Sequence, residues 1–125
     1  MTVQDPNVVR HDTDPLIEVV VKRLENGVTV LTVAGEVDMT TAPGLRTTVG
    51  DHSTSGSKLV LDLSRVTFLG SAGLAVLVEA SQQTKTRGVE LRVVAVERAV
   101  TRPLEATGLG DVFSVHPSVE SAISS

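Results

Sequence analysis

The sequence predicts an α/β fold: a mixed β-sheet, with an N-terminal hairpin and parallel strands, packed with about four α-helices. Three observations carry this expectation. Residues 16–37 read as two alternating apolar runs around the turn signal Glu25-Asn26-Gly27. Lys58 to Ser64, KLVLDLS, is a short, nearly continuous apolar run of the kind buried on both faces of a sheet. Beyond it, helix-length and strand-length stretches alternate to the end, which implies parallel strands joined by helical crossovers.

The elements follow in order. MTVQDPNVVRHDTDP, with Pro6 and Pro15, shows neither helical nor strand periodicity, so its ordering entropy is poorly offset. Residues 1–15 are therefore expected to form a flexible tail, and residues 16–125 the one folded domain. IEVVVKRL and VTVLTVAGEV are the hairpin strands. Asp38 to Thr41 offers capping residues and Pro43 suits a first helical turn, so LRTTVGDH is expected to close a short helix. Ser53 to Ser57, STSGS, is a loop before the buried strand. LAVLV alone fits strand or helix, but EASQQTKTR extends it to a length only a helix reaches. That helix is expected to bury Leu74, Leu77, Val78 and Ser81 on one face and to end at Arg87-Gly88. VELRVVAV is a further strand. Glu97 to Thr107 is a helix in which Pro103 predicts a start near that residue or a kink. VFSVHPSVESAIS gives a short strand and a terminal helix with Val119, Ala122 and Ile123 inward.

Composition narrows the function classes. In 125 residues, 41% hydrophobic residues are enough for one core of Val, Leu and Ala. A net charge of −4 with two Phe and no Trp or Tyr argues against a nucleic-acid binder, which carries a clustered basic face and aromatic platforms. The absence of cysteine removes disulfides, a thiolate nucleophile and a Cys-based zinc site. No apolar stretch reaches signal-peptide or membrane-span length. A cytoplasmic protein engaging neither membrane nor nucleic acid is expected.

Ser71 is the residue that invites chemistry, lying between glycines in Leu69-Gly70-Ser71-Ala72-Gly73. A nucleophile elbow needs Gly-x-Ser-x-Gly, and here the first glycine stands at the wrong offset. No sequence context aims a histidine at Ser71: His11 lies in the expected tail, His52 in a loop and His116 before a proline. Phosphate-loop motifs are missing, and Glu36 with Asp38 on one strand face is too few carboxylates for a metal site. No catalytic residue, cofactor or metal is therefore expected. Two readings of Ser71 remain. It is a helix N-cap, its oxygen accepting an orphan N–H, with Gly70, Ala72 and Gly73 allowing close packing. Alternatively it is a modification switch, because a phosphate is tolerated at a helix start and changes what docks there.

LVLDLSRVTFLGSAGLAVLVEA, with AGEVDMTTAP before it and VVAVERAVTRPLEATGL and VFSVHPSVESAI after it, resembles the STAS domains of bacterial anti-sigma factor antagonists. The likeness runs from about Leu16 to the end, and is most specific at Asp62-Leu63-Ser64, Phe68 and Ser71-x-Gly73-Leu74. The resemblance implies a non-enzymatic partner switch with a STAS-like sheet. Its partner would be an anti-sigma factor that is also a serine kinase of the histidine-kinase-like ATPase type. Phosphorylation by that kinase breaks the complex, and a phosphatase restores it. The acceptor serine carries over to Ser71. Asp38 matches a position beside the acceptor, and the crossover order should bring the two strand ends to one edge of the sheet. Partner binding is thus expected at Asp38, Thr40, Gly70, Ser71, Ala72, Gly73 and Leu74. Many members carry Asp immediately before the acceptor, where this chain has Gly70. The resemblance also admits an alternative: a STAS sensor or interaction module that binds a small ligand or a protein without phosphorylation.

Overall fold

In the computed structural model, which describes residues 8–14, 16–53 and 58–125, Asn26 and Gly27 turn the chain with φ of 68° and 75°. Asn and Gly tolerate that left-handed backbone better than other residues, so the turn forms where the sequence places it. It joins β2 (Ile17–Arg23) to β3 (Val28–Val37), which pair antiparallel with Val21 opposite Leu31. The expected tail is corrected here: Val8–Asp14 forms β1, an edge strand paired antiparallel with β2. Backbone pairing with a neighbouring strand supplies the order that the segment's side-chain pattern does not announce. Residues 1–7 and 15 of that tail lie outside the described residues, as do 54–57 of the expected loop.

After β3 the chain runs through α1 (Ala42–His52), β4 (Lys58–Leu69), α2 (Ser71–Arg87), β5 (Glu90–Val94), α3 (Arg98–Thr107), β6 (Ser114–His116) and α4 (Val119–Ser124). The six strands lie in the order β1-β2-β3-β4-β5-β6, with β3 to β6 parallel. Each crossover moves one strand in the same direction. Crossovers of one hand must then put α1, α2 and α3 on one face of the sheet. The packing agrees: Leu45 and Val49 of α1, Val76 and Leu77 of α2 and Val100 and Leu104 of α3 share a core with Leu31, Val33, Leu59, Leu61 and Val93. The opposite face holds a smaller core, in which Ala122 of α4 packs on Val28, Val30, Val60 and Val94, with Val119 and Ile123 beside it. Covering on both faces explains the apolar text of β4.

Two helices depart from expectation. The buried face of α2 is Gly73, Val76, Leu77, Ala80 and Thr84, while Leu74, Val78 and Ser81 are only half-buried. Apolar residues crowd most of the first two turns of α2, so periodicity leaves the inward direction open by about one position. α3 runs from Arg98 through Pro103 to Thr107, within a residue of the expected Glu97 to Thr107 and with Glu97 as its N-cap residue, so only the start expected near the proline fails. Buried Val100 and Leu104 hold the turns on either side of it. The Arg87-Gly88 ending holds, with Gly88 at φ 73°.

Gly35 fixes how β3 leaves the sheet. Its φ is +112°, and a Cβ there would overlap the Leu16 carbonyl oxygen, which accepts a 3.0 Å bond from Glu36 N–H. Only glycine permits that approach. The bond anchors β3 two residues before Asp38.

Candidate functional site

Register brings the two expected segments together. Val37 is paired with Leu69 at the ends of neighbouring parallel strands, and the Gly70 N–H donates to the Val37 carbonyl at 2.9 Å. The β3–α1 loop, carrying Asp38 and Thr40, therefore runs beside the β4–α2 junction, carrying Gly70 to Leu74. Both lie at the carboxyl end of the parallel strands, where open α/β sheets commonly bind.

The loop is held by its own polar groups. Asp38 Oδ1 accepts from Thr40 N–H at 2.9 Å and Thr41 N–H at 3.0 Å, and the Asp38 N–H donates to Thr41 Oγ1 at 3.0 Å. The Thr41 hydroxyl in turn donates to the Glu36 carbonyl at 2.7 Å, so the buried threonine clamps both sides of the turn. Hydrogen bonds to the ionised carboxylate, first from Thr41 N–H and then from Thr40 N–H, hold the Asp38 pKa below its ordinary value of 3.8. Asp38 Oδ2 has no hydrogen-bond partner among the described residues, leaving one charged oxygen at the site.

Ser71 is the first residue of α2 and not its cap. The N-cap is Gly70, extended at φ −90° and ψ −177°, and no side chain caps the helix. The capping role proposed for Ser71 is thereby corrected. Its side chain is exposed, and its Oγ has no hydrogen-bond partner among the described residues. Gly73 and Leu74 N–H both donate to the Gly70 carbonyl, at 3.0 and 3.1 Å, while Ser71 and Ala72 N–H have no intrahelical acceptor. A neutral hydroxyl thus stands on a helix start with two N–H groups that have no acceptor among the described residues and no acidic residue in the first turn.

The remaining expected residues divide by burial. Thr40 is exposed, Ala72 and Leu74 are half-buried, and Gly73 is buried. A Cβ at Gly73 would lie 2.5 Å from Leu69 Cδ1 and 2.8 Å from Val37 Cγ1. Gly73 therefore seats α2 against the two strand ends instead of presenting a surface. Two residues outside the expected set complete the site: Met39 is 84% exposed and Phe68 50% exposed, both within three residues of Asp38 or Ser71. Exposed large apolar side chains around a polar centre are what a docking face shows. Their sequence signal is slight: Met39 is the one large apolar residue in a capping loop, and Phe68 follows the inward positions Val66 and Leu63.

Two of the three histidines, His52 and His116, are engaged elsewhere. His52 Nδ1 contacts Arg23 Nη2 at 3.2 Å, and His116 lies between Ser114 Oγ and Ser121 Oγ at 2.9 and 3.0 Å. Among the described residues no cluster of three metal-ligating side chains occurs, and no helix is long and apolar enough to cross a membrane.

Comparison with known proteins agrees with this geometry. The family model for the STAS domain matches residues 19–122. The anti-sigma-F factor antagonist RsfA of Mycobacterium tuberculosis is 37% identical over 98 residues, covering 76% of this chain and 77% of that protein. The anti-sigma-B factor antagonist of Bacillus subtilis is 31% identical over 107 residues, covering 86% and 97%. A crystal structure of an anti-sigma factor antagonist from Mycobacterium paratuberculosis superposes with a TM-score of 0.81 at 37% identity, covering 89% of this chain and 95% of that one. Six-stranded sheet, helix placement, sequence and superposition converge, and the chain belongs to the STAS domain family of anti-sigma factor antagonists.

Proposed function

We propose that this protein is an anti-sigma factor antagonist that binds an anti-sigma factor and releases a sigma factor, switched off by phosphorylation of Ser71. The observation that carries the reading is the exposed Ser71 hydroxyl on an uncapped helix start, flanked by exposed Met39 and Phe68 and by the ionised Asp38. A neutral hydroxyl amid apolar side chains can be covered by a partner at small desolvation cost. A phosphoryl group adds about −1.5 to −2 units of charge, which the free N–H groups of Ser71 and Ala72 tolerate inside the domain. The partner must strip the hydration of that charge while Asp38 adds like charge beside it. Binding weakens and the fold persists. The partner is a serine kinase of the histidine-kinase-like ATPase type, and a phosphatase resets the switch. The protein itself has no catalytic role.

Gly70, in place of the family's frequent Asp, has a structural counterpart. A Cβ there would come within 3.1 Å of the Phe68 ring, so glycine lets that ring lie against the helix start. The acceptor's neighbour is then apolar where many relatives are acidic.

The test adds the protein to a preformed complex of its host's anti-sigma and sigma factors and measures free sigma. Release proportional to added protein supports the reading, and Ala72→Tyr with Asp38→Lys should abolish it while circular dichroism shows the protein still folded. Tight binding and release by the doubly changed protein would place the interface elsewhere. A protein that never binds an anti-sigma factor would favour the sensor or interaction-module alternative.

A further inference from the structure

Beside Ser71 the end of β4 and the first turns of α3 enclose an open groove of about 500 Å³. Its walls are apolar: Phe68 and Leu69 on the strand side, Ala99 and Pro103 on the helix side. Arg98 and Arg102, one turn apart on α3, also line it, and both are exposed. Neither makes an ion pair or hydrogen bond among the described residues, whereas Arg46, Lys58 and Arg92 are each paired with a glutamate. Two unpartnered guanidinium groups on an apolar groove stand out in a chain whose net charge is −4.

This combination selects its occupant. Phe68 and Leu69 immediately precede Gly70-Ser71, so the groove continues the docking face already described. Arginine forks bind carboxylates bidentately, and the apolar walls take aliphatic or aromatic side chains. We propose that the groove receives an acidic amphipathic segment of the anti-sigma factor, its carboxylates on Arg98 and Arg102 and its apolar side chains against Phe68 and Pro103. The inference deepens the function proposed above and rests on it. It assigns α3 a share of recognition that lies outside the Ser71 loop, so two antagonists with the same switch can choose different anti-sigma factors through this groove.

The experiment uses the anti-sigma factor captured from the protein's own host, then identified and purified, as the titrant for three proteins: the wild type, the double variant Arg98→Glu/Arg102→Glu, and Ser71→Asp. The expected result is a tenfold or greater loss of affinity in the arginine double variant, with a weaker salt dependence than the wild type. Because the chain contains no cysteine, Ala106→Cys at the groove can carry a single bulky maleimide label, and that label should also reduce binding at least tenfold. Wild-type affinity in both the double variant and the labelled protein, while Ser71→Asp weakens binding, overturns the groove assignment and leaves the switch standing. Self-association of the antagonist that is lost in the double variant, with anti-sigma affinity unchanged, also overturns it in favour of a second copy as occupant. A wild type that binds no anti-sigma factor overturns the underlying reading and the groove with it.

Discussion

At the residue scale, Asp38 organises one edge of the site with a single carboxyl group. Oδ1 takes the N–H groups of Thr40 and Thr41, and Oδ2 stays unpaired among the described residues. Those N–H bonds stabilise the charged form, so the folded-state pKa lies below 3.8. A depressed carboxyl contributes stability that is fully present above its unfolded pKa and is lost as pH falls through the lower folded value. The loop should therefore keep its order on acidification past pH 3.8 and open only below it. An NMR titration following the Asp38 side-chain carbon and the Thr40 and Thr41 amide protons checks this. One common midpoint below 3.8 is expected; a midpoint at or above it would mean that these bonds do not favour the charged form. Asp38 was legible from sequence as a residue at the strand end. Its hold on Thr41 was not, because Asp-x-x-Thr spacing also suits a plain solvent-exposed cap.

At the element scale, the seating of α2 decides where Ser71 points. Gly73 is the contact: a Cβ there meets Val37 and Leu69 side chains that are 0% and 5% exposed and have no room to swing away. Gly73→Ala gains about 1 kcal/mol of helix propensity and loses about 2–3 kcal/mol to overpacking, the upper part of the usual range because two side-chain contacts fall below 3.0 Å. A net destabilisation of about 1–2 kcal/mol is expected by urea unfolding, with weaker partner binding as the helix start is displaced. An unchanged or raised midpoint would show that α2 has slack at its first turn. The same contact explains what the sequence conceals. The turns at Asn26-Gly27 and Gly88 were legible because backbone chemistry names them locally. The inward face of α2 was displaced from Leu74, Val78 and Ser81 toward Gly73, Val76 and Ala80 because a glycine buries backbone, which no apolar period records. The strand β1 was hidden for a related reason, since its order comes from pairing with β2.

At the scale of the whole molecule, three crossovers of one hand place α1, α2 and α3 on one face, and α4 closes the other. The carboxyl ends of β3 and β4 are thereby neighbours, and Ser71, Asp38, Met39 and Phe68 reach solvent on one edge. The juxtaposition of the two strand ends, and with it of Asp38 and Ser71, was legible from element order alone. The exposed apolar pair and the arginine-lined groove were not, because exposure is a property of the assembled sheet and helices. A rigid platform with a small, modifiable contact suits a switch that acts on binding without refolding the protein. The most direct measurement incubates one preparation of the protein with the proposed anti-sigma kinase and ATP, locates any phosphate by intact-mass and peptide analysis, and titrates both forms against that kinase. One phosphate, on Ser71, a loss of affinity of tenfold or more, an unfolding midpoint little changed, and no phosphate on Ser71→Ala, which still binds, are expected. Tight binding to the kinase with no phosphate on Ser71, or equal affinity of the two forms, would contradict the switch.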